Sequence, residues 1–181
     1  MAFESYYWRQ IIKRDISYIK KLQKININSL EDDKLDEIIS KVEIKVFIIT
    51  FSIRKLLEAR KIPDKVIDTK VSVIRHRRNS KRRGPVFDFT ELFDFKKPEK
   101  ISIKLSLLLN LIIHSYTFHT IHSKSKLTYL YFTSDFKKNE YLIAINLIKF
   151  LNIMAKVSNK QVKSIHTTYN KDTGDYDVKT Y

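Results

Sequence analysis

The sequence has no cysteine, and its 181 residues include only two glycines and three prolines. Without cysteine the chain can form neither disulfides nor thiolate metal sites, so a reducing cytoplasm is the expected compartment. Two glycines are too few for the glycine-rich loops that cradle phosphates, and neither a nucleophile elbow nor a zinc motif occurs. The sequence therefore contains no recognisable catalytic motif and predicts no cofactor.

Long uncharged apolar runs are also missing. The two most hydrophobic stretches, residues 42–57 and 101–118, are interrupted by charged or polar side chains such as Lys45 and Asn110. A membrane-spanning helix needs about 20 consecutive apolar residues, and the N-terminal residues carry Glu4 without the apolar core of a signal peptide. We therefore expect a soluble protein without membrane association. Its hydrophobic content of 43% indicates a packed core.

The hydrophobic periodicity predicts one α+β domain over residues 1–181, with about four helices and a small, mainly antiparallel sheet of about five strands. One helix is expected to be long and amphipathic, and another nearly fully buried. Apolar residues at helical spacing indicate helices at residues 3–25, 31–60, 101–122 and 146–157. Alternating patterns indicate strands at residues 65–75, 127–133 and 141–145 and a closing hairpin at 162–169 and 175–181.

The chain is strongly basic, with a formal net charge of +15 and a pI of about 9.8. Such a charge favours a polyanionic partner. Lysine makes up 26 of the 35 basic residues, and the richness in lysine, isoleucine and asparagine is typical of an AT-rich genome. We therefore expect a prokaryotic, phage or mobile-element origin, and part of the charge follows from this composition alone.

Arginine clusters where composition does not explain it. Five of the nine arginines lie between positions 75 and 83, directly after a predicted strand and before the loop signal Gly84-Pro85. Residues 75–85 are thus predicted to form a basic, mobile loop, and arginine binds phosphate in a bidentate manner. The expected nucleic-acid contacts are Arg75, Arg77, Arg78, Lys81, Arg82 and Arg83, with Arg9, Lys13 and Lys20 on the basic face of the first helix as secondary contacts.

The leading functional hypothesis is accordingly electrostatic binding of DNA or RNA through this loop. A basic loop can also dock an acidic protein partner, which would make the chain an accessory or regulatory subunit. The segment 86–95, in which Phe-Asp-Phe occurs twice, could pack on the body as an aromatic arm or take part in such docking.

A narrow polar line interrupts the predicted helix at residues 101–122. Ser106, Asn110 and His114 follow one another at four-residue spacing. The favoured interpretation is a hydrogen-bond ladder inside the core. The alternative is a metal-independent ribonuclease that uses His114 with Asn110 and a basic residue from elsewhere. An arginine four to six residues before a histidine on one helix, which is typical of helical ribonucleases of the HEPN class, is absent because no arginine follows Arg83.

Two further histidines lie close by in the sequence. On a helix, His119 and His122 would lie about 140° and 80° round the axis from His114. Three ligands on one metal would require the helix to end early, and neither a cysteine nor an acidic residue four positions away is available, so no metal site is predicted.

Overall fold

The computed structural model describes residues 5–79, 89–123 and 125–181. The helices are α1 (Ser5–Leu22), α2 (Asp32–Glu58), α3 (Phe89–Leu92), α4 (Leu105–Ile113) and α5 (Leu147–Ser158). The strands are β1 (Lys70–Arg77), β2 (Glu99–Lys104), β3 (Ser115–Ser123), β4 (Lys126–Ser134), β5 (Tyr141–Asn146), β6 (Ile165–Asn170) and β7 (Asp175–Thr180). Short 3-10 turns occur at Ile27–Ser29 and Asp64–Asp68.

Five of the strands form one antiparallel sheet in the order β2-β1-β5-β4-β3, and β6 and β7 form a separate hairpin. Four of the five helices are substantial, and the described residues form a single α+β domain. The predicted fold class is therefore confirmed. None of the helices in the described ranges combines the length and the apolar character that crossing a bilayer requires.

The main core lies on one face of the sheet, under the helices. Successive side chains of β5 point to opposite faces of the sheet. Ile143 and Ile145 belong to the core beneath the helices, whereas Leu142 belongs to a smaller cluster on the opposite face. Helices α4 and α5 pack against the sheet, and α1 packs on α2 and α5. This arrangement leaves one side of α1, α2 and α5 exposed to solvent.

The prediction of one helix at residues 101–122 is wrong, because three elements follow one another there. Residues before Leu105 pair with β1, since Ile101 and Ile103 alternate with the exposed Ser102 and Lys104. The helix α4 contains only nine residues. After His114 the run contains two threonines, one isoleucine, a tyrosine and a phenylalanine, residues that fit a pleated sheet, and it pairs with β4. His119 and His122 are therefore strand residues.

The basic stretch also begins differently from the prediction. The 3-10 turn at Asp64–Asp68 occupies the start of the predicted strand, and β1 continues to Arg77. Arg75 and Arg77 thus lie on the sheet, and Arg78 forms an isolated bridge with Phe93. The predicted contacts Lys81, Arg82 and Arg83 lie outside the described residues.

The described part of the segment 86–95 packs on the body, as the first of its two interpretations predicts. Residues 89–92 are helical, so the expected alternation of phenylalanines along a strand does not occur. Leu92 and Phe93 are buried with Leu142 on the sheet face away from the main core. Phe95 contacts the ring of His76, with 4.4 Å between ring centroids.

Candidate functional site

Arg75 and Arg77, two predicted phosphate contacts, share one carboxylate. Arg75 faces Glu99 in the register of β1 and β2, and its Nε lies 2.9 Å from the Glu99 Oε2. Arg77 donates to the other carboxylate oxygen. The two guanidinium groups lower the pKa of Glu99, which keeps it ionised. Glu99 therefore offsets half of the positive charge that this pair would offer to a phosphate.

Arg78 is also held by the protein. Its Nη1 donates to the backbone carbonyl of Lys138 at 2.8 Å, and its guanidinium lies 5.8 Å from the centroid of Phe93. A groove of about 750 Å³ runs beside Arg77 and Arg78, but Glu91 and Asp94 also line it. The start of the arginine cluster is thus electrostatically mixed.

Arg9, a predicted secondary contact, joins helices. It donates to the backbone carbonyl of Ser158 at the end of α5 and, at 2.8 Å, to that of Lys61. A guanidinium at the C-terminal end of a helix satisfies unpaired carbonyls and complements the helix dipole. Part of its hydrogen-bonding capacity therefore serves the packing of α1 on α5.

Lys13 and Lys20, the other secondary contacts, lie together in a groove between α1 and α5. This groove, about 420 Å³ in volume, is also lined by Lys21 and Lys24. Lys20 Nζ donates to Asn152 Oδ1 on α5 at 3.1 Å. The helical spacing of these four lysines places them on the outer face of α1, while Ile12, Ile16 and Ile19 are buried beneath.

A second groove follows the other side of α5. It has a volume of about 570 Å³ and lies between α5 and the start of β1. Its apolar floor includes Val66, Ile153 and Val157, and four lysines line it. Lys149 donates to the backbone carbonyl of Ser72 at 2.9 Å.

We call the eight lysines of the two grooves the α5 lysine surface; they are Lys13, Lys20, Lys21, Lys24, Lys70, Lys149, Lys156 and Lys160. No aspartate or glutamate is among the residues that line either groove in the described part of the chain. Within residues 5–79, 89–123 and 125–181, none of the eight forms an ion pair. Asp68, close to Lys70 in sequence, pairs with Lys104 at 2.7 Å, and its pKa is lowered first by Lys104 and to a smaller extent by Lys70.

Sequence reasoning missed the lysines of α5. Lys149 and Lys156 are seven residues apart, a spacing that places them on one face of α5, and Lys160 follows two residues after the helix ends. This signal was available in the sequence. What the sequence could not supply was the packing of α1 against α5, which unites two basic faces.

The polar line of α4 lies at the surface, so its interpretation as a ladder inside the core is wrong. Asn110 and His114 are exposed, and Ser106 is half-buried. The reason is that α4 ends at Ile113, which leaves His114 at the C-terminal boundary of the helix rather than in its middle.

The basic residue beside His114 comes from α2. Arg54 Nη1 lies 3.3 Å from His114 Nε2, and Arg54 Nε donates to Glu58 Oε1 at 2.8 Å. Because a guanidinium only donates, a hydrogen bond between Arg54 and His114 requires an unprotonated Nε2. Arg54 and Glu58 line a groove of about 200 Å³ with Ser106 and Asn110. In this contact the only lone pair of the neutral ring, on Nε2, faces Arg54. A phosphate that binds the guanidinium would free Nε2 as a base, so the pair can serve acid–base chemistry on a phosphate.

The other histidines of this region do not join that site. His119 is half-buried, and burial lowers its pKa, while His122 is exposed further along β3. In the ranges that the structure describes, no group of three histidine or acidic side chains is placed to hold a metal ion.

Comparison of the chain with protein-family models, with curated proteins and with solved structures gives no match. Functional inference therefore depends on the geometry of these surfaces.

Proposed function

We propose that the protein binds nucleic acid through the α5 lysine surface. The observation that carries this proposal is the absence, over the described residues, of any carboxylate lining the two grooves. Lysines that are not neutralised by carboxylates attract a polyanion and gain free energy by releasing its condensed counterions. The net charge of the chain does not by itself single out this surface. What distinguishes it is that other basic side chains of the chain pair with acidic ones, which offset their positive charge.

The chemistry of the surface favours contact with the phosphate backbone over reading of bases. A lysine ammonium is a mobile point charge without the bidentate geometry with which arginine reads guanine. Lys20 and Lys149 each donate one of three N–H groups to the protein, which leaves donors available for phosphate oxygens. We therefore expect binding with little dependence on base sequence.

The arginine cluster is a competing surface for the same function. Arg75 and Arg77 both pair with Glu99. Over the described residues no carboxylate lines the two grooves of the α5 lysine surface, although Lys70 helps to lower the pKa of Asp68. This difference ranks the α5 lysine surface first and the cluster at residues 75–83 second.

Two lysine variants matched in charge and one arginine variant distinguish these possibilities by fluorescence anisotropy with labelled single-stranded RNA and duplex DNA. We expect K24Q/K156Q/K160Q to weaken binding strongly. K126Q/K171Q/K179Q removes the same charge from exposed lysines elsewhere and should bind nearly as well as the native chain. If R77Q/R78Q/R82Q/R83Q alone loses binding, the site is the arginine cluster. If the native chain binds neither polymer near 50 mM salt but co-purifies with an acidic protein, the nucleic-acid proposal is wrong.

A second candidate function is metal-independent cleavage of RNA at the site that Arg54 and His114 form. The 3.3 Å contact between them is the observation that favours it. His114 would accept the proton of the ribose 2′-hydroxyl, whose oxygen attacks phosphorus while the bond to the 5′ oxygen breaks. Arg54 would stabilise the charge on the phosphoryl oxygens, and the departing 5′ oxygen would take up a proton through the imidazolium or water.

A further inference from the structure

Helix α2 has an apolar stripe that the described chain leaves uncovered. Ile44, Ile48 and Phe51 follow one another at four- and three-residue spacing and are 59%, 38% and 44% exposed. The opposite face of α2 is fully buried through Val42, Val46, Ile49, Ile53 and Leu56. Single apolar residues at a surface are common, but a contiguous stripe on one helix indicates a contact surface.

The apolar surface continues from α2 onto α1. Trp8 packs against Phe51, with 6.1 Å between ring centroids, and its neighbour Tyr7 is exposed. Because α1 and α2 pack together at this point, the two helices can present one shared surface.

Charged residues extend the stripe at both ends, with opposite signs. At 100° per residue, Glu37 and Lys55 both lie about 20° from Ile44 round the helix, one before the apolar residues and one after them. Over the described residues, the ion pairs of both side chains are with near neighbours on α2: Glu37 with Lys34 and Lys41, and Lys55 with Glu58. The Lys55 Nζ also lies 5.5 Å from the centroid of the Phe51 ring. Such exposed pairs contribute little and can be exchanged for others.

We propose that this stripe is the interface of a homodimer in which two copies of α2 pack antiparallel. With a two-fold axis at the level of Val46, Ile44 of one copy meets Ile48 of the second, and Glu37 of one copy meets Lys55 of the second. A parallel pair would instead place Glu37 against Glu37 and Lys55 against Lys55. In the antiparallel arrangement, apolar residues of the stripe therefore meet apolar residues of the second copy, and opposite charges face each other. An isologous interface requires this self-complementarity.

The expected dimer is weak. A helix of 27 residues is about 40 Å long, and a contact strip about 10 Å wide along it covers about 400 Å² per copy. Stable interfaces cover about 800 Å² per partner. Trp8 and Tyr7 add to the area that each copy covers, but the total stays below that of a stable interface. We therefore expect a dissociation constant in the micromolar range.

Sedimentation velocity on the full chain over a range of micromolar concentrations tests this dimer. The native chain should shift from monomer to dimer, and I48E should remain a monomer while keeping its native circular dichroism spectrum. S17E, an exposed polar position on α1 away from the stripe, should dimerise as the native chain does. A native chain that stays monomeric, or a dimer that I48E leaves intact, would overturn the proposal.

Charge exchange tests the orientation of the two helices. E37K and K55E should each weaken the dimer, because the substituted side chain then faces a like charge. Mixing E37K with K55E restores both opposite-charge contacts in the heterodimer, so the mixture should associate more strongly than either variant alone. Equal association of the mixture and the separate variants would contradict the antiparallel register.

Discussion

Arg54 on α2 and His114 at the end of α4 lie 3.3 Å apart, from Nη1 to Nε2, although sixty positions separate them in the sequence. Glu58 fixes the guanidinium from one turn further along α2. The contact depends on the packing of α2 against α4 and on the end of α4 at Ile113. It supplies the basic partner that a catalytic role of His114 requires.

Replacing His114 with alanine should abolish any RNA cleavage without unfolding the protein. Loss of the general base should lower the rate about 100-fold or more. Because His114 is exposed, the free energy of unfolding should change by less than about 0.5 kcal/mol. H166A, which removes an exposed histidine on β6, is the matched control for a cleavage assay. Native activity in H114A, or none in the unmodified protein, would exclude this site as a ribonuclease centre.

Lys45 should be important for stability because it pairs with a buried carboxylate. Asp15 is fully buried on α1, and its Oδ1 accepts from Lys45 Nζ at 2.9 Å and from Arg14 Nε at 3.1 Å. Removing one partner leaves a buried charge poorly compensated. We expect K45M to lower the free energy of unfolding in urea by about 3 kcal/mol, the lower end of the usual range, since Arg14 remains.

The control for that measurement is Lys41, whose partner Glu37 is exposed. K41M should lower the free energy of unfolding much less than K45M does, because solvent screens a surface ion pair. Equal losses in K45M and K41M would show that the burial of Asp15 does not govern the strength of its ion pair.

His76 should make stability fall in mild acid. It is buried against Phe95 and Tyr131, its Nε2 has no hydrogen-bond partner in the described structure, and burial lowers its pKa. The folded protein therefore binds fewer protons at this site than the unfolded chain. The stabilisation is fully present above the unfolded pKa of about 6.5, begins to decrease there, and is lost as the pH falls through the lower pKa of the folded protein.

Urea unfolding of the native protein and of H76F at pH 7.5 and pH 5 measures this contribution. The native protein should lose more stability between the two values than H76F, in which no imidazole is buried at that site. H166Q should follow the native pH dependence, because His166 is exposed. The same pH dependence in H76F and in the native protein would rule out His76 as the cause.

The sequence predicts elements well where one periodicity runs through the whole element. The pattern of α2 extends over 27 residues, and its predicted ends differ from the observed ones by only one or two positions. The prediction for residues 101–122 failed because β2, α4 and β3 follow one another without a turn signal between them. Seven of the nine residues of α4 are strongly apolar, and their helical period was extended in the prediction to the flanking strands.

The candidate sites divide in a similar way. The lysines of α5 have a helical spacing that is visible in the sequence, so their common face could be predicted. The pairing of Arg75 with Glu99 and of Arg54 with His114 could not, because each depends on which elements become neighbours in space. In a chain without a recognisable motif, such contacts can be identified only from the three-dimensional structure.

The most direct test of the proposed function is the dependence of nucleic-acid affinity on salt. The logarithm of the binding constant for duplex DNA should fall linearly with the logarithm of salt concentration, by about 0.9 for each phosphate neutralised. K24Q/K156Q/K160Q should flatten this slope by about three, and K126Q/K171Q/K179Q by less than one. Identical slopes for the native protein and K24Q/K156Q/K160Q would contradict binding through the α5 lysine surface.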